Sequence, residues 1–188
     1  MTEKRIAVIF PGIGYHKDKP LLYYSAKIAK SYGFEIVNVE YSNMPEKVKG
    51  NPELMKKAAD IAYEQALLQL EEIDFESYGT VLFIGKSLGT VVLNRFSTAK
   101  NVKALQVLYT PVEATFSYNS GNRSIAFIGD NDPWSELSEI EKLAENQKIP
   151  LHIFKKCNHS LECEDVRYNI GVLSDAMLKT DRYIIENV

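Results

Sequence analysis

The stretch Val81-Leu82-Phe83-Ile84-Gly85-Lys86-Ser87-Leu88-Gly89 decides the fold. Its first four residues are apolar, and two of them are β-branched. Such a run reads as a strand buried on both faces, which is how parallel strands look. From Leu88 to Thr98 the period changes, and Val91, Val92 and Phe96 take helical spacing. The segment is therefore a strand, a tight glycine turn and a helix, with Ser87 at the apex. A serine on such a turn is held in a strained conformation with its hydroxyl exposed, and larger neighbours would collide with the adjoining elements. The helix start offers backbone N–H groups to a developing negative charge. Two other readings of the segment exist. One is a glycine turn that only packs helix on strand. The other is a Walker A phosphate loop, which needs glycine five places before Gly85. Thr80 stands there, and Val81–Ile84 reads as strand, so the phosphate loop is rejected.

Outward from this segment the same alternation continues. Apolar runs recur at Ile6–Phe10, Ile36–Val39, Ala104–Tyr109, Ile125–Ile128 and Leu151–Phe154. Helical signals fall between them. Pro20–Tyr32 starts on proline and stops at Gly33, and Asn51-Pro52 is a cap followed by proline at the first helical position. In that helix Leu54, Ala58, Ile61 and Leu68 are expected on one face. Ser138-Glu139-Ile140-Glu141 has capping-box spacing. A last helix is expected from about Val166, with Ile170, Leu173 and Met177 in line. This pattern predicts an α/β fold, a three-layer sandwich around a mostly parallel six-stranded sheet. No linker divides the chain, so residues 1–188 read as a single domain.

Composition narrows the function classes. The formal net charge is −3, and the basic residues do not cluster, so nothing points to nucleic acid. No run approaches the ~20 apolar residues of a membrane span, so no membrane partner is expected. Two cysteines, Cys157 and Cys163, fall short of a disulfide scaffold, and a cytoplasmic location is expected. His152, Cys157, His159 and Cys163 match no common zinc spacing, and neither a metal nor a cofactor is expected.

Ligands of parallel sheets bind at the carboxyl ends of strands, so chemistry is sought there. A nucleophilic serine needs a base and a group that orients the base. Of three histidines, His16 lies in the first loop and His152 inside a strand. His159 follows the last strand and is the best base by position. Asp130 and Asp132 both follow the fifth run, and either also reads as a turn or cap residue.

Taken in order, Gly85-Lys86-Ser87-Leu88-Gly89, Gly129-Asp130-Asn131-Asp132-Pro133 and Asn158-His159-Ser160-Leu161 resemble an α/β-hydrolase over nearly the whole chain. The resemblance implies Ser87, Asp132 and His159 as the catalytic residues, with Asp130 as the fallback acid. The loop Phe10-Pro11-Gly12-Ile13-Gly14 matches the family's oxyanion loop, which implies the backbone N–H groups of Ile13 and Leu88 as oxyanion donors. The chain departs from the family in having Pro11 and Lys86 where many members have histidine. By the same resemblance the family's first two strands are expected to be absent, and residues 110–124 are expected to be too short for a lid. What the resemblance implies is a small lidless serine hydrolase cleaving a soluble ester or thioester through an acyl-enzyme. The alternative is a non-catalytic module of the same fold that binds a small molecule or a protein. Tyr15, Tyr41, Phe116 and Trp134 are the expected walls of the substrate pocket. Lys86 and His16 have two readings: charges favouring an anionic acyl group, or solvated surface groups.

Overall fold

Successive side chains of a strand point to opposite faces, and here both faces are apolar. In the computed structural model, which describes residues 3–118 and 121–188, this places helices on both sides of one sheet. The single-domain reading also takes in Met1, Thr2, Asn119 and Ser120, which lie outside the described residues. The strands are β1 (Arg5–Phe10), β2 (Phe34–Asn38), β3 (Thr80–Lys86), β4 (Leu105–Tyr109), β5 (Ser124–Gly129) and β6 (Leu151–Phe154). The helices are α1 (Pro20–Ser31), α2 (Pro52–Gln69), α3 (Leu88–Lys100), α4 (Leu137–Asn146) and α5 (Val166–Ile185). All five strand pairings are parallel, in the order β2-β1-β3-β4-β5-β6.

Ala7, Ile9, Leu82, Ile84, Val107 and Phe127 face α1 and α5. Ile6, Val8, Phe10, Phe83 and Leu108 face α2 and α3. Ile128 continues that second face toward Ile140 and Ala144 of α4. The crossover from β1 to β2 runs one way with α1 on one face. Those through α2, α3 and α4 run the other way on the opposite face. Reversing direction and face together keeps a single hand throughout, as a twisted sheet demands. The reversal falls between β1 and β3, and a crevice opens at their carboxyl ends.

Local detail departs from the sequence reading in three helices. In α2 the buried stripe is Ala58, Ala62 and Ala66, while Leu68 is exposed. Alanines at every fourth position let the helix lie close to α3, and that contact sets its rotation. In α4 no capping box forms. The Glu136 N–H instead donates to the Glu113 carboxylate at 2.8 Å, so the helix start is held from another loop. In α5 the fully buried positions are Val172, Ala176, Thr180 and Ile184, whereas Ile170 is exposed. Between β4 and β5 the described residues hold only a short 3-10 turn, Glu113–Ser117. Among the described residues no helix is long and apolar enough to cross a membrane.

Gly89 shows how tightly the first turn of α3 meets β1. A Cβ there would lie 2.0 Å from the Phe10 carbonyl oxygen and 2.6 Å from that of Pro11. Both are backbone atoms at the end of β1, so the clash cannot be relieved by turning a side chain. Gly89→Ala is expected to destabilise the protein by roughly 3 kcal/mol or more, read as a lower midpoint in urea unfolding. A variant as stable as the parent would mean that α3 can be displaced without cost.

Candidate active site

The end of β3 delivers Ser87 in a conformation that side chains seldom adopt, with φ 54° and ψ −118°. Neighbouring bonds hold it there. The Ser87 N–H donates to the Tyr109 carbonyl at 2.9 Å. The Ser87 carbonyl accepts from both the N–H and the hydroxyl of Thr90, at 2.8 and 2.6 Å. Strain of about 1–3 kcal/mol at such a residue persists only where surrounding structure over-determines it.

His159 reaches the same point from β6. Its turn is tied by the Asn158 side-chain oxygen, which accepts from the Ser160 N–H at 2.7 Å. The acid loop after β5 is tied to this turn in its own way. Gly129 has no space for a Cβ, which would fall 2.1 Å from the Cys157 carbonyl oxygen. The Asn131 N–H donates to that same oxygen at 2.9 Å. Asp132 and His159 are therefore brought together by backbone contact between their loops.

The geometry is a continuous hydrogen-bonded line. His159 Nε2 lies 2.7 Å from Ser87 Oγ. His159 Nδ1 lies 2.9 and 2.7 Å from the two oxygens of Asp132. An ionised carboxylate only accepts, so Nδ1 carries the proton and Nε2 is left to accept from the serine hydroxyl. The Asp132 side chain is 1% exposed and that of His159 13%. Asp132 also accepts from the Trp134 N–H at 2.9 Å. Asp130 does something else. One of its oxygens accepts from the Lys156 N–H at 2.5 Å, and the other lies 3.5 Å from Lys155 Nζ.

Burial pulls the His159 pKa below the ordinary 6.5, and the positive charges of Lys86 and Lys49 act in the same direction. The hydrogen bond to Asp132 opposes them. Trp134 stacks on the imidazole, with ring centroids 5.3 Å apart, and Lys49 Nζ lies 5.6 Å above the Trp134 ring.

A cavity of about 500 Å³ opens beside Ser87 and His159. Ile13 and Trp134 line it. Met55 and Ala59 of α2, Leu88 and Val91 of α3, and Val112 make its apolar walls. Asp60 and Arg95 also line it. Of the four aromatic residues expected as pocket walls, Trp134 alone lines this cavity. Phe116 is buried against Ile128 and Ile140 instead. Tyr15 is buried under the sheet end, where its hydroxyl accepts from the Leu21 N–H at 3.1 Å. Tyr41 lines a separate cavity on the far side of the Ile13 turn.

Lys86 is not a surface group, being 2% exposed, and its Nζ lies 5.0 Å from the Tyr15 ring centre. His16 is exposed beside Asp18. Neither lines the cavity at Ser87. The sequence alone does not single out Met55, Asp60 or Arg95. Arg95 stands eight residues after Ser87, two turns along the same helix, and that spacing is the one signal it offers.

No protein-family model matches the sequence, and no curated protein matches it. Solved structures do match. A lidless α/β serine hydrolase from Xanthomonas campestris aligns with TM-score 0.62 and 13% identity, over 97% of this chain and 84% of that one. Est1E from Butyrivibrio proteoclasticus, solved with ferulic acid bound, aligns with TM-score 0.70 and 9% identity, over 98% and 89%. The esterase Pf2001 from Pyrococcus furiosus aligns with TM-score 0.67 and 13% identity, over 98% and 83%. At such identities the likeness establishes the fold, and function rests on the site.

Proposed function

We propose that this chain, which has the fold of the α/β-hydrolases, is a single-domain serine hydrolase of small carboxylic esters or thioesters. The observation that carries this reading is the unbroken line from Asp132 through His159 to Ser87 Oγ. His159 takes the hydroxyl proton as Ser87 attacks the carbonyl carbon. Asp132 holds the imidazole in the required tautomer and stabilises the imidazolium. The tetrahedral oxyanion is received by the N–H groups of Leu88 and Ile13. Leu88 opens α3, where an N–H has no partner within the helix. Ile13 lies inside the Gly12–Tyr15 turn, and its N–H takes no part in that turn's two bonds. The imidazolium returns the proton to the departing alcohol or thiol. Water, activated by the same histidine, then releases the acid. Both cysteines are free thiols, which fits a reducing compartment such as the cytoplasm. The aryl acid bound to Est1E is of a size that the cavity beside Ser87 would also take.

The test is the intact mass after exposure to a fluorophosphonate. One adduct on the wild type and none on Ser87→Ala is the expected result. A folded wild type that stays unlabelled would overturn the reading in favour of a binding module without catalysis.

A further inference from the structure

The cavity at Ser87 has an asymmetry that ester cleavage does not require. It runs from the serine along the groove between α2 and α3. Ser87, Val91 and Arg95 succeed each other at four-residue intervals on one face of α3, so Arg95 stands about 12 Å beyond the serine at 1.5 Å per residue. Pro52, Met55, Ala59 and Asp60 form the facing stripe of α2. The near part is apolar. The far part ends in a fixed ion pair, with Arg95 donating from Nη1 to Asp60 Oδ1 at 2.6 Å. The guanidinium lies 4.0 Å over the Tyr63 ring, which holds its plane.

This pair is only half withdrawn from solvent, its side chains being 29% and 47% exposed. Alone on a surface such a pair is worth little stability. What it offers is an orientated donor and an orientated acceptor side by side. Arg95 keeps further N–H donors, and Asp60 keeps its second oxygen. The pair has no net charge. A free anion would meet Asp60 as well as Arg95, and the rest of the lining carries one further cation, Lys56, and one further anion, Glu113. A hydroxyl is a neutral group that accepts and donates from a single atom, and it can meet both partners at once.

We propose that the acyl arm of the substrate is an uncharged apolar chain or aryl group ending in a hydroxyl, which docks on the Arg95–Asp60 pair while the carbonyl sits at Ser87. This rests on the hydrolase reading of Ser87, His159 and Asp132. It adds a specificity site that is separate from them.

The test uses 4-nitrophenyl esters of butanoic, hexanoic and octanoic acids, each plain, with a terminal hydroxyl, and with a terminal carboxylate. In the wild type the hydroxyl should raise kcat/KM about tenfold over the plain chain at one preferred length. In Arg95→Met that advantage should disappear. In Asp60→Asn the guanidinium loses its counter-charge, and preference should move to the carboxylate ester. A wild type that prefers the carboxylate, or that ignores the terminal group at all three lengths, would overturn the proposal. Calorimetry of the free acids with Ser87→Ala gives a readout that needs no turnover. Tighter binding of the hydroxy acid than of the plain acid supports the proposal even if no ester is cleaved and no fluorophosphonate adduct forms. Equal binding overturns it, whatever happens to the hydrolase reading.

Discussion

Asp132→Asn is expected to lower kcat by about 10⁴-fold and leave a folded protein. The Asp132 carboxylate accepts from His159 Nδ1 through both oxygens, which leaves Nε2 unprotonated toward Ser87. An asparagine can present its NH₂ to Nδ1 and turn the imidazole to the other tautomer. Nε2 then carries the proton and no longer accepts one from the serine. The Asn oxygen can still accept from the Trp134 N–H, so the loop retains its anchor. Circular dichroism and urea unfolding would separate lost chemistry from lost structure. Asp130→Asn is the matching control, because Asp130 serves the backbone of the next loop and touches none of the three. Its effect should be on the unfolding midpoint. If Asp132→Asn kept wild-type kcat while Asp130→Asn lost it, the roles would have to be exchanged. The wild-type pH profile checks the same assignment. The base must be neutral, and burial sets the His159 pKa below 6.5, so kcat/KM should hold to below that pH before falling.

Much of this arrangement is written locally, and what is local was legible. Strand, glycine turn and helix around Ser87 all lie between Thr80 and Lys100, and each carries its own signal. The four inner strands, β1, β3, β4 and β5, are apolar runs because both faces are covered. His159 and Asp132 could be picked out because strand ends in a parallel sheet point the same way. What failed was whatever depends on two elements meeting. The rotation of α2 is set by burial of Ala58, Ala62 and Ala66 where the helix packs on α3, and no count of apolar residues favours them over Leu68. The start of α4 is held by Glu113 from a different loop, which a capping rule cannot see. Tyr15 and Phe116 stand near strand ends in sequence, but the Gly12–Tyr15 turn and the Glu113–Ser117 turn carry them away from Ser87, while Tyr41, after β2, lines a separate cavity. The cavity itself is made by α2 facing α3, so Met55, Asp60 and Arg95 have meaning only once the helices are packed.

Lys86→Met is expected to make the protein more stable at neutral pH, by on the order of 4 kcal/mol, and to do so by an amount that depends on pH. Lys86 ends β3 and is 2% exposed, with its Nζ over the Tyr15 ring. Burial drops its pKa from 10.5 to about 7, against the attraction of Asp132. The folded chain thus holds this proton less tightly than the unfolded chain does. Between about pH 7 and 10.5 the unfolded state binds more protons, so wild-type stability rises with pH across that window. Each tenfold loss of proton affinity is worth about 1.4 kcal/mol, which gives the magnitude at pH 7. Methionine fills nearly the same volume, keeps a sulfur contact with the Tyr15 ring, and has no proton to lose. The gap between variant and wild type should therefore be large at pH 7 and small by pH 10. Buried Tyr15 and Tyr109 also respond to alkali, but they are common to both proteins and cancel in the difference. Urea unfolding of the two proteins at pH 7, 8, 9 and 10 measures this directly. A variant no more stable at pH 7, or a gap that does not close, would mean that Lys86 is satisfied in the fold. The charge on Lys86 also acts on the base. It lowers the pKa of His159, keeping the base neutral in more acidic solution. The stabilised variant should therefore lose activity at a higher pH than the wild type does as the solution is acidified.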